Sequence, residues 1–404
     1  MSLAFVEMSK VGGALPAWYW PPGLPRRAAV PQQPIQLQLG RQVRRAPERP
    51  ALASTARTLT YRQLWKEMLA AGRAIEGLEP ATVGVCEADG LEAVLLLLGA
   101  LEAGKRVALL DCEAPAERLA SQLAGAEAPL VLFATAPGAA KAVPGVRLLA
   151  RAELTPGEAV EGPGRVEAKE PAVLLGAGPD MAVHSHLSLS AMGAGLATFL
   201  PELRELAFCW VGPACSWEAL TGIVVALQNG MPVAFASAAE LRCGDHAFPD
   251  DAYTILRRAD ADAFLAAGAA PAILSRLRHV FVSTGPFTRR WRRRLEDLLG
   301  RAVLTLWGAQ ELGPVVSAHP SWVPVQAHGI PLVNVTLMPI DPASGRVSLV
   351  PWELLDRAGL GVESPSAMSG YTSRARTEAT RLGRIVCVPS LAEIDHVGVV
   401  SIHP

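Results

Sequence analysis

The sequence predicts an α/β protein with two parallel-sheet, flavodoxin-like layered subdomains and a small β-rich, barrel-like subdomain at its C-terminal end. Three observations carry that expectation. Apolar strands alternate with helices in β-α-β-α-β order up to Phe133, an order that implies a parallel sheet with right-handed crossovers. The alternation resumes at Ala172 after a Pro/Gly-rich stretch, and helical periodicity fades past Pro320.

Residues 1–40 are rich in Pro and aromatics, as in Trp18 to Gly23, and read as an irregular arm. Such an arm either docks a partner or packs across the body of its own chain. Residues 41–170 form the first expected α/β subdomain. Thr60 and Gln63 make a capping box, and Tyr61, Leu64, Trp65, Met68 and Leu69 share one helical face that ends near Gly77. Strand Thr82–Cys86 precedes a helix from Asp89 to Ala103, strand Arg106–Asp111 precedes a helix with Pro115 in its first turn, and Leu130–Phe133 is the third strand. Residues 171–320 form the second subdomain, with strands expected at 172–175, 207–211, 232–236, 262–265, 279–283 and 302–306. Residues 321–404 carry short strands such as Val333–Met338 and Arg384–Val388, separated by turns such as Pro342 to Gly345.

Composition narrows the function classes. Half of the 404 residues are apolar, enough for a large core, yet no run reaches the length of a membrane helix. A formal net charge of -1 argues against bulk binding to nucleic acid or anionic membranes. The six cysteines, Cys86, Cys112, Cys209, Cys215, Cys243 and Cys387, are scattered and read as small buried hydrophobes. The N-terminus shows no signal-peptide pattern, and Met1-Ser2-Leu3 has the look of an expression scar, so a cytoplasmic protein is expected.

Several segments, in order, resemble the large N-terminal domain of the adenylate-forming (AMP-binding) acyl- and aryl-CoA synthetase family. Arg45 to Leu52 with Leu59 to Leu64 look like its opening helix, and Ala100 to Lys105 followed by Leu110 to Leu119 are similar to its next conserved region. Ser283-Thr284-Gly285-Pro286 looks like the small-residue loop bordering adenine. Trp307-Gly308-Ala309-Gln310-Glu311 resembles the Tyr-Gly-x-Thr-Glu signature, whose glutamate helps hold the magnesium of ATP. Ser364 to Tyr371 resembles the Gly-Tyr segment of the last subdomain. The resemblance implies a carboxylic acid substrate, acyl or aryl, activated with ATP and magnesium and transferred to CoA or a carrier-protein thiol.

The departures from that pattern are as informative. The family's phosphate loop is rich in Ser, Thr and Gly and ends in Pro-Lys-Gly; here Leu174 to His186 has lost the hydroxyls, and Asp180 stands where the lysine is expected. An anion there repels triphosphate. Gly176 and Gly178 remain as places where backbone amides can face an anion. The family's ribose-binding Thr-Gly-Asp aligns with Val388-Pro389-Ser390, while Leu391 to Asp395 and His396 to Gly398 keep the surrounding pattern. The resemblance puts the hinge and the mobile C-terminal lid beyond Pro404, so the lid and its lysine are expected to be absent from this chain.

Other residues admit two readings each. Glu311 is a magnesium ligand or an ordinary loop glutamate, and magnesium normally needs phosphate oxygens to complete its shell. His184 and His186 are a metal pair or one packed and one exposed histidine. Ser216 and Trp217 stand where the resembling enzymes gate the acyl pocket, so Trp217 either floors that pocket or belongs to the core. Five arginines, Arg289, Arg290, Arg292, Arg293 and Arg294, make a patch for a phosphate-bearing or acidic partner such as a carrier protein, or a solvated helix face. No hydrolase pattern is present. Two functions follow. One is a pseudoenzyme, degenerate in ATP chemistry, that acts as an acyl/aryl-binding or scaffolding module. The other is an acid-activating ligase whose lid comes from a separate polypeptide or has been removed.

Overall fold

The computed structural model describes residues 20, 23–135, 140–154, 166–237, 240–241, 248–249, 251–321, 324, 327–395 and 398–403. Residues 1–19 (about half of the expected arm), Cys243 and His396 lie outside them.

Among the described residues, three sheets organise the chain. A seven-stranded sheet runs Gly370–Tyr371, Ala182–Ser185, Pro171–Leu175, Arg106–Leu109, Thr82–Val85, Leu130–Phe133, Arg147–Ala150. From Pro171–Leu175 onwards its strands are parallel, and the two at the other edge are antiparallel. A nine-stranded sheet runs Ile330–Pro331, Gly313–Ser317, Leu304–Ala309, His279–Ser283, Ala252–Arg257, Ala207–Val211, Val233–Ala236, Pro50–Ala53, Thr58–Thr60. Its centre, Leu304–Ala309 through Pro50–Ala53, is parallel. The third sheet has five antiparallel strands, with Thr336–Ile340 at one edge beside Ala358–Glu363, and the long strand Ile385–Ile394 next to that.

Helices Ile35–Arg45, Tyr61–Glu76, Gly90–Glu102, His186–Phe199 and Trp217–Asn229 share one core with both large sheets, whereas Ala116–Gly125, Arg258–Ala267 and Arg289–Leu299 pack into separate cores. Helix Gly90–Glu102 is apolar almost all round because it touches strands of both sheets. At its start a Cβ on Gly90 would lie 2.2 Å from the Phe235 ring of the opposite sheet, so glycine permits the close approach. The Asp89 side chain caps it by accepting from Leu91 N and Glu92 N. Helix Tyr61–Glu76 has the expected capping box on Thr60 and buries Tyr61, Leu64 and Met68, while Trp65 and Leu69 are partly buried against the same core.

The structure corrects the sequence reading in several places. The sheets do not divide at residue 170. Pro50–Ala53 and Thr58–Thr60 belong to the nine-stranded sheet, whereas Pro171–Leu175, Ala182–Ser185 and Gly370–Tyr371 belong to the seven-stranded one. The arm gives way to helix Ile35–Arg45 before residue 40. Its glutamines disguise the buried face: Gln36 Nε2 donates to Leu101 O at 3.2 Å and Gln38 Nε2 to Ser190 Oγ at 2.8 Å. Before that helix, Trp20 and Leu24 pack against the core of the same chain.

Residues 262–265 are helical, within Arg258–Ala267, and the strand is the preceding Ala252–Arg257. The expected strand Val333–Met338 starts only at Thr336, because Asn334 turns the chain with φ +67°. The strand expected at 302–306 runs Leu304–Ala309, so Trp307, Gly308 and Ala309 are strand rather than loop. Pairing with Gly313–Ser317 extends it.

Candidate functional site

In parallel sheets, ligand-binding loops sit at the carboxyl ends of the strands. Two neighbouring ends of the nine-stranded sheet bring most of the expected residues together. Ser283 pairs with Leu306, and Thr284 N donates to Leu306 O at 3.0 Å, which holds Ser283-Thr284-Gly285 beside Trp307 and Gly308. The Gly285 carbonyl accepts from His328 Nε2 at 2.9 Å, while His328 Nδ1 accepts from Ile402 N at 3.1 Å. That pair of bonds fixes the neutral tautomer, and burial pushes the His328 pKa down to about 4.

Ser216 and Trp217 start the helix Trp217–Asn229 against the same strand ends. The Ser216 hydroxyl caps the helix by accepting from Ala219 N at 3.3 Å. Trp217 is buried in the main core, and a Cβ on Gly308 would lie 2.9 Å from its ring. Glu218, not among the expected site residues, is buried and accepts a 2.8 Å hydrogen bond from Ser283 Oγ. Burial raises its pKa, with Ser283, its own backbone, Ser216 and Arg257 opposing. An acidic residue directly after the Trp217 of an apolar helix was the available signal.

Glu311 sits on a tight hairpin. Gln310, Glu311 and Leu312 connect Leu304–Ala309 to Gly313–Ser317, and Gly313 closes the turn at φ +67°. A left-handed glycine after a short turn is the usual solution for a three-residue hairpin. Three contacts immobilise the tip. His184 Nε2 donates to Gln310 O at 2.6 Å, Met368 N donates to Glu311 O at 2.7 Å, and the Tyr371 hydroxyl donates to Glu311 Oε1 at 2.6 Å. His184 is fully buried, and burial lowers its pKa, so it stays neutral. The Tyr371 phenol is pushed up to about 12 by desolvation first and by the Glu311 carboxylate second, which keeps it a donor.

The glycine turn that stands for the phosphate loop joins Pro171–Leu175 to Ala182–Ser185 in the other sheet. It leans on the helix Ala116–Gly125: Gln122 Nε2 donates to Gly176 O, and a Cβ on Gly125 would lie 1.8 Å from the Pro179 carbonyl oxygen. Neither Gly176 nor Gly178 has a positive φ, and a Cβ on Gly178 would meet nothing within 4 Å. Thr372 clips the turn from outside, accepting from Met181 N at 3.1 Å and donating its own N–H to Met181 O at 2.9 Å.

A side-chain chain then joins the turn to the hairpin. Asp180 Oδ2 lies 3.4 Å from Arg376 Nη1, the Arg376 guanidinium sits 4.5 Å from the Tyr371 ring centre, and Tyr371 holds Glu311. The anion at position 180 is therefore matched by a cation of the same chain.

Two expected residues stay outside this arrangement. Ser390 lies on Ile385–Ile394, and its hydroxyl makes no hydrogen bond among the described residues. His186 is buried rather than exposed. Its Nδ1 has no partner among the described residues, and desolvation lowers its pKa to about 4. Among the described residues no group of three His, Cys, Asp or Glu side chains could hold a metal ion. Nor is any helix there long and apolar enough to cross a membrane.

The arginine patch splits. Arg292 is buried, with Nη2 donating to Val303 O at 2.7 Å, Nε to Glu296 Oε1 at 3.0 Å and Nη1 to Pro324 O. Arg289, Arg290, Arg293 and Arg294 are exposed on helix Arg289–Leu299.

Comparison with known proteins agrees with this fold. A family model described as AMP-binding enzyme matches residues 39–173. No curated protein sequence matches the chain. Among solved structures, unliganded o-succinylbenzoate CoA synthetase (MenE) from Bacillus subtilis superposes with a TM-score of 0.78 at 16% identity, covering 92% of this chain and 79% of that one. The nonribosomal peptide synthetase FmoA3, in its AMPPNP-bound form, gives 0.79 at 18% identity over 96% of this chain and 44% of its own. VinN gives 0.76 at 17% identity, covering 92% of this chain and 99% of its own. The same MenE has been solved with ATP and magnesium ion. At these identities the likeness is one of fold.

Proposed function

Because the chain belongs to the adenylate-forming, AMP-binding family over residues 39–173 and shares its N-terminal-domain fold beyond them, we propose that it is a pseudoenzyme of that family. In this reading it acts as an acyl- or aryl-binding or scaffolding module that does not run ATP chemistry. The observation that carries the proposal is the Asp180–Arg376–Tyr371–Glu311 chain.

The side chains present do not fit a magnesium triphosphate. A phosphate site needs backbone or hydroxyl donors and a countercharge aimed at open space. The turn from Gly176 to Met181 supplies no hydroxyl and no cation of its own, and it presents Asp180. Arg376, the cation nearest that carboxylate, is already engaged by it and by the Tyr371 ring. One oxygen of Glu311 is taken by a phenol that keeps its proton. A divalent ion at Glu311 would have to displace that donor and find its remaining ligands elsewhere.

A second reading keeps the ligase. Glu311 is present at a rigid hairpin tip, and a lid with its lysine, on this polypeptide or on another, would complete the site. CoA or a carrier-protein thiol would then accept the acyl group.

Calorimetric titration of the full chain with ATP·Mg²⁺, and separately with AMP, tests between them. The pseudoenzyme reading expects no detectable heat from either nucleotide. Micromolar binding of ATP·Mg²⁺, lost in Glu311→Ala, would overturn it and favour the ligase.

A further inference from the structure

A cleft of about 890 Å³ opens between the N-terminal arm and the five-stranded sheet, and none of Glu311, Tyr371, Arg376 or Asp180 lines it. One wall is the arm, strapped down by Asn334. Ala28 N donates to Asn334 Oδ1 at 2.9 Å, Asn334 Nδ2 donates to Ala28 O at 3.0 Å, and Asn334 N donates to Arg26 O at 3.0 Å. The facing wall is the edge strand Thr336–Ile340 with the segment from Glu363 to Met368. The volume lies within the range of about 300–1,000 Å³ typical of small-molecule sites.

Its chemistry is divided. Leu187, Leu332, Leu337 and Met338 give it apolar surface. Arg26, Arg27, Arg381 and Arg384 line it against a single carboxylate, Glu363, in a chain whose formal net charge is -1. No carboxylate pairs with Arg27, Arg381 or Arg384 among the described residues. Two of the arginines are held in place. The Arg26 guanidinium lies 5.2 Å from the Trp20 ring centre, and Arg381 Nη1 donates to Met368 O at 3.2 Å and to Ser369 O. Arg381 Nε is buried without a hydrogen-bond partner. Guanidinium groups fixed this way suit bidentate recognition of carboxylate or phosphate, and gathering Arg27, Arg381 and Arg384 beside aliphatic walls with no paired carboxylate among the described residues is otherwise unfavourable.

We propose that this cleft binds an amphipathic anion, a small molecule with an apolar body and one carboxylate or phosphate head. The arginines take the head and the aliphatic wall takes the body. The site adjoins the hairpin network through Met368 but shares none of its charged groups, and the assignment stands whether or not the chain binds nucleotide.

Decanoate and decyl phosphate, titrated into the full chain below their micellar concentrations, represent the two head groups, and decyl maltoside is the uncharged control. Intrinsic tryptophan fluorescence, to which Trp20 in the cleft wall contributes, and calorimetry report binding. At least one anion should bind saturably, about tenfold or more weaker in the double variant Arg27→Glu, Arg384→Glu. These two residues are exposed, so the variant should melt like the parent. Asp180→Ala should leave the affinity unchanged. Equal binding of decyl maltoside, an affinity indifferent to the charge reversal, or no saturable binding of either anion below about 1 mM would each overturn the assignment. Saturable binding only of an acidic peptide such as oligoglutamate would also overturn it, in favour of a protein partner.

Discussion

The Tyr371 hydroxyl donates a 2.6 Å hydrogen bond to Glu311 Oε1 from a strand that belongs to the opposite sheet. The contact thus pins the hairpin of the nine-stranded sheet to the edge of the seven-stranded one. Tyr371→Phe should lower unfolding free energy by about 1–2 kcal/mol, since a bond to a charged acceptor is lost at a half-buried site. Arg376→Ala should cost less than about 1 kcal/mol, as expected of a largely exposed ion pair. Urea unfolding of both single variants and the double variant measures the coupling between them.

Buried neutral histidines set an acid limit. His186 and His328 have pKa values near about 4 in the fold, against an ordinary 6.5. The unfolded chain therefore binds more protons between those values, and stability is full above 6.5 and falls as pH drops toward 4. Each histidine contributes up to about 3 kcal/mol of that loss. Glu218, whose pKa burial raises, acts with the opposite sign, its charged form costing stability as pH rises. The urea midpoint of His328→Gln, followed from pH 7.5 to 4.5, should show a shallower acid slope than the parent. An unchanged slope would mean that His328 is not held neutral.

How much of this was legible in the sequence depended on periodicity. Helix Tyr61–Glu76 and the strands around Val83, Val107 and Val131 were readable because their apolar residues recur at one clear period. Ala252–Arg257 was missed because Tyr253 and Thr254 make their polar contacts inside the core, to Gly222 O and Cys209 O. The loss of lysine and hydroxyls from the glycine turn was equally plain in the sequence. Its partner was not, because Arg376 and Asp180 are far apart in the chain and no local pattern joins them. The readings of His186 and Arg292 failed for a common reason. Polar residues look solvated in a sequence, and only packing reveals burial.

Two glycines should resist alanine in spite of their helical setting. In Gly222→Ala the new methyl would lie 2.1 Å from the fully buried Phe208 ring, and in Gly125→Ala it would meet the Pro179 carbonyl at 1.8 Å. Overpacking of this kind costs about 1–3 kcal/mol, more than the gain in helix propensity. Thermal melts rank both. Gly178→Ala, with open space around the new Cβ, should be close to neutral.

Arg292 and its exposed neighbours should separate cleanly on mutation. Arg292→Ala leaves the Val303 and Pro324 carbonyls without their donor and should destabilise by about 2–4 kcal/mol. Arg293→Ala should stay within about 0.5 kcal/mol. Chemical denaturation of the two variants checks the contrast.

The interleaving of the large sheets has a consequence for biosynthesis. Pro50–Ala53 can take its place beside Val233–Ala236 only after that later strand has left the ribosome, and the edge of the other sheet waits for Gly370–Tyr371. Early-made strands must therefore wait, half-paired, while most of the polypeptide is synthesised, which exposes unpaired strand edges to aggregation. A nascent chain arrested near residue 170 should be degraded by protease, and protection should come late and nearly all at once.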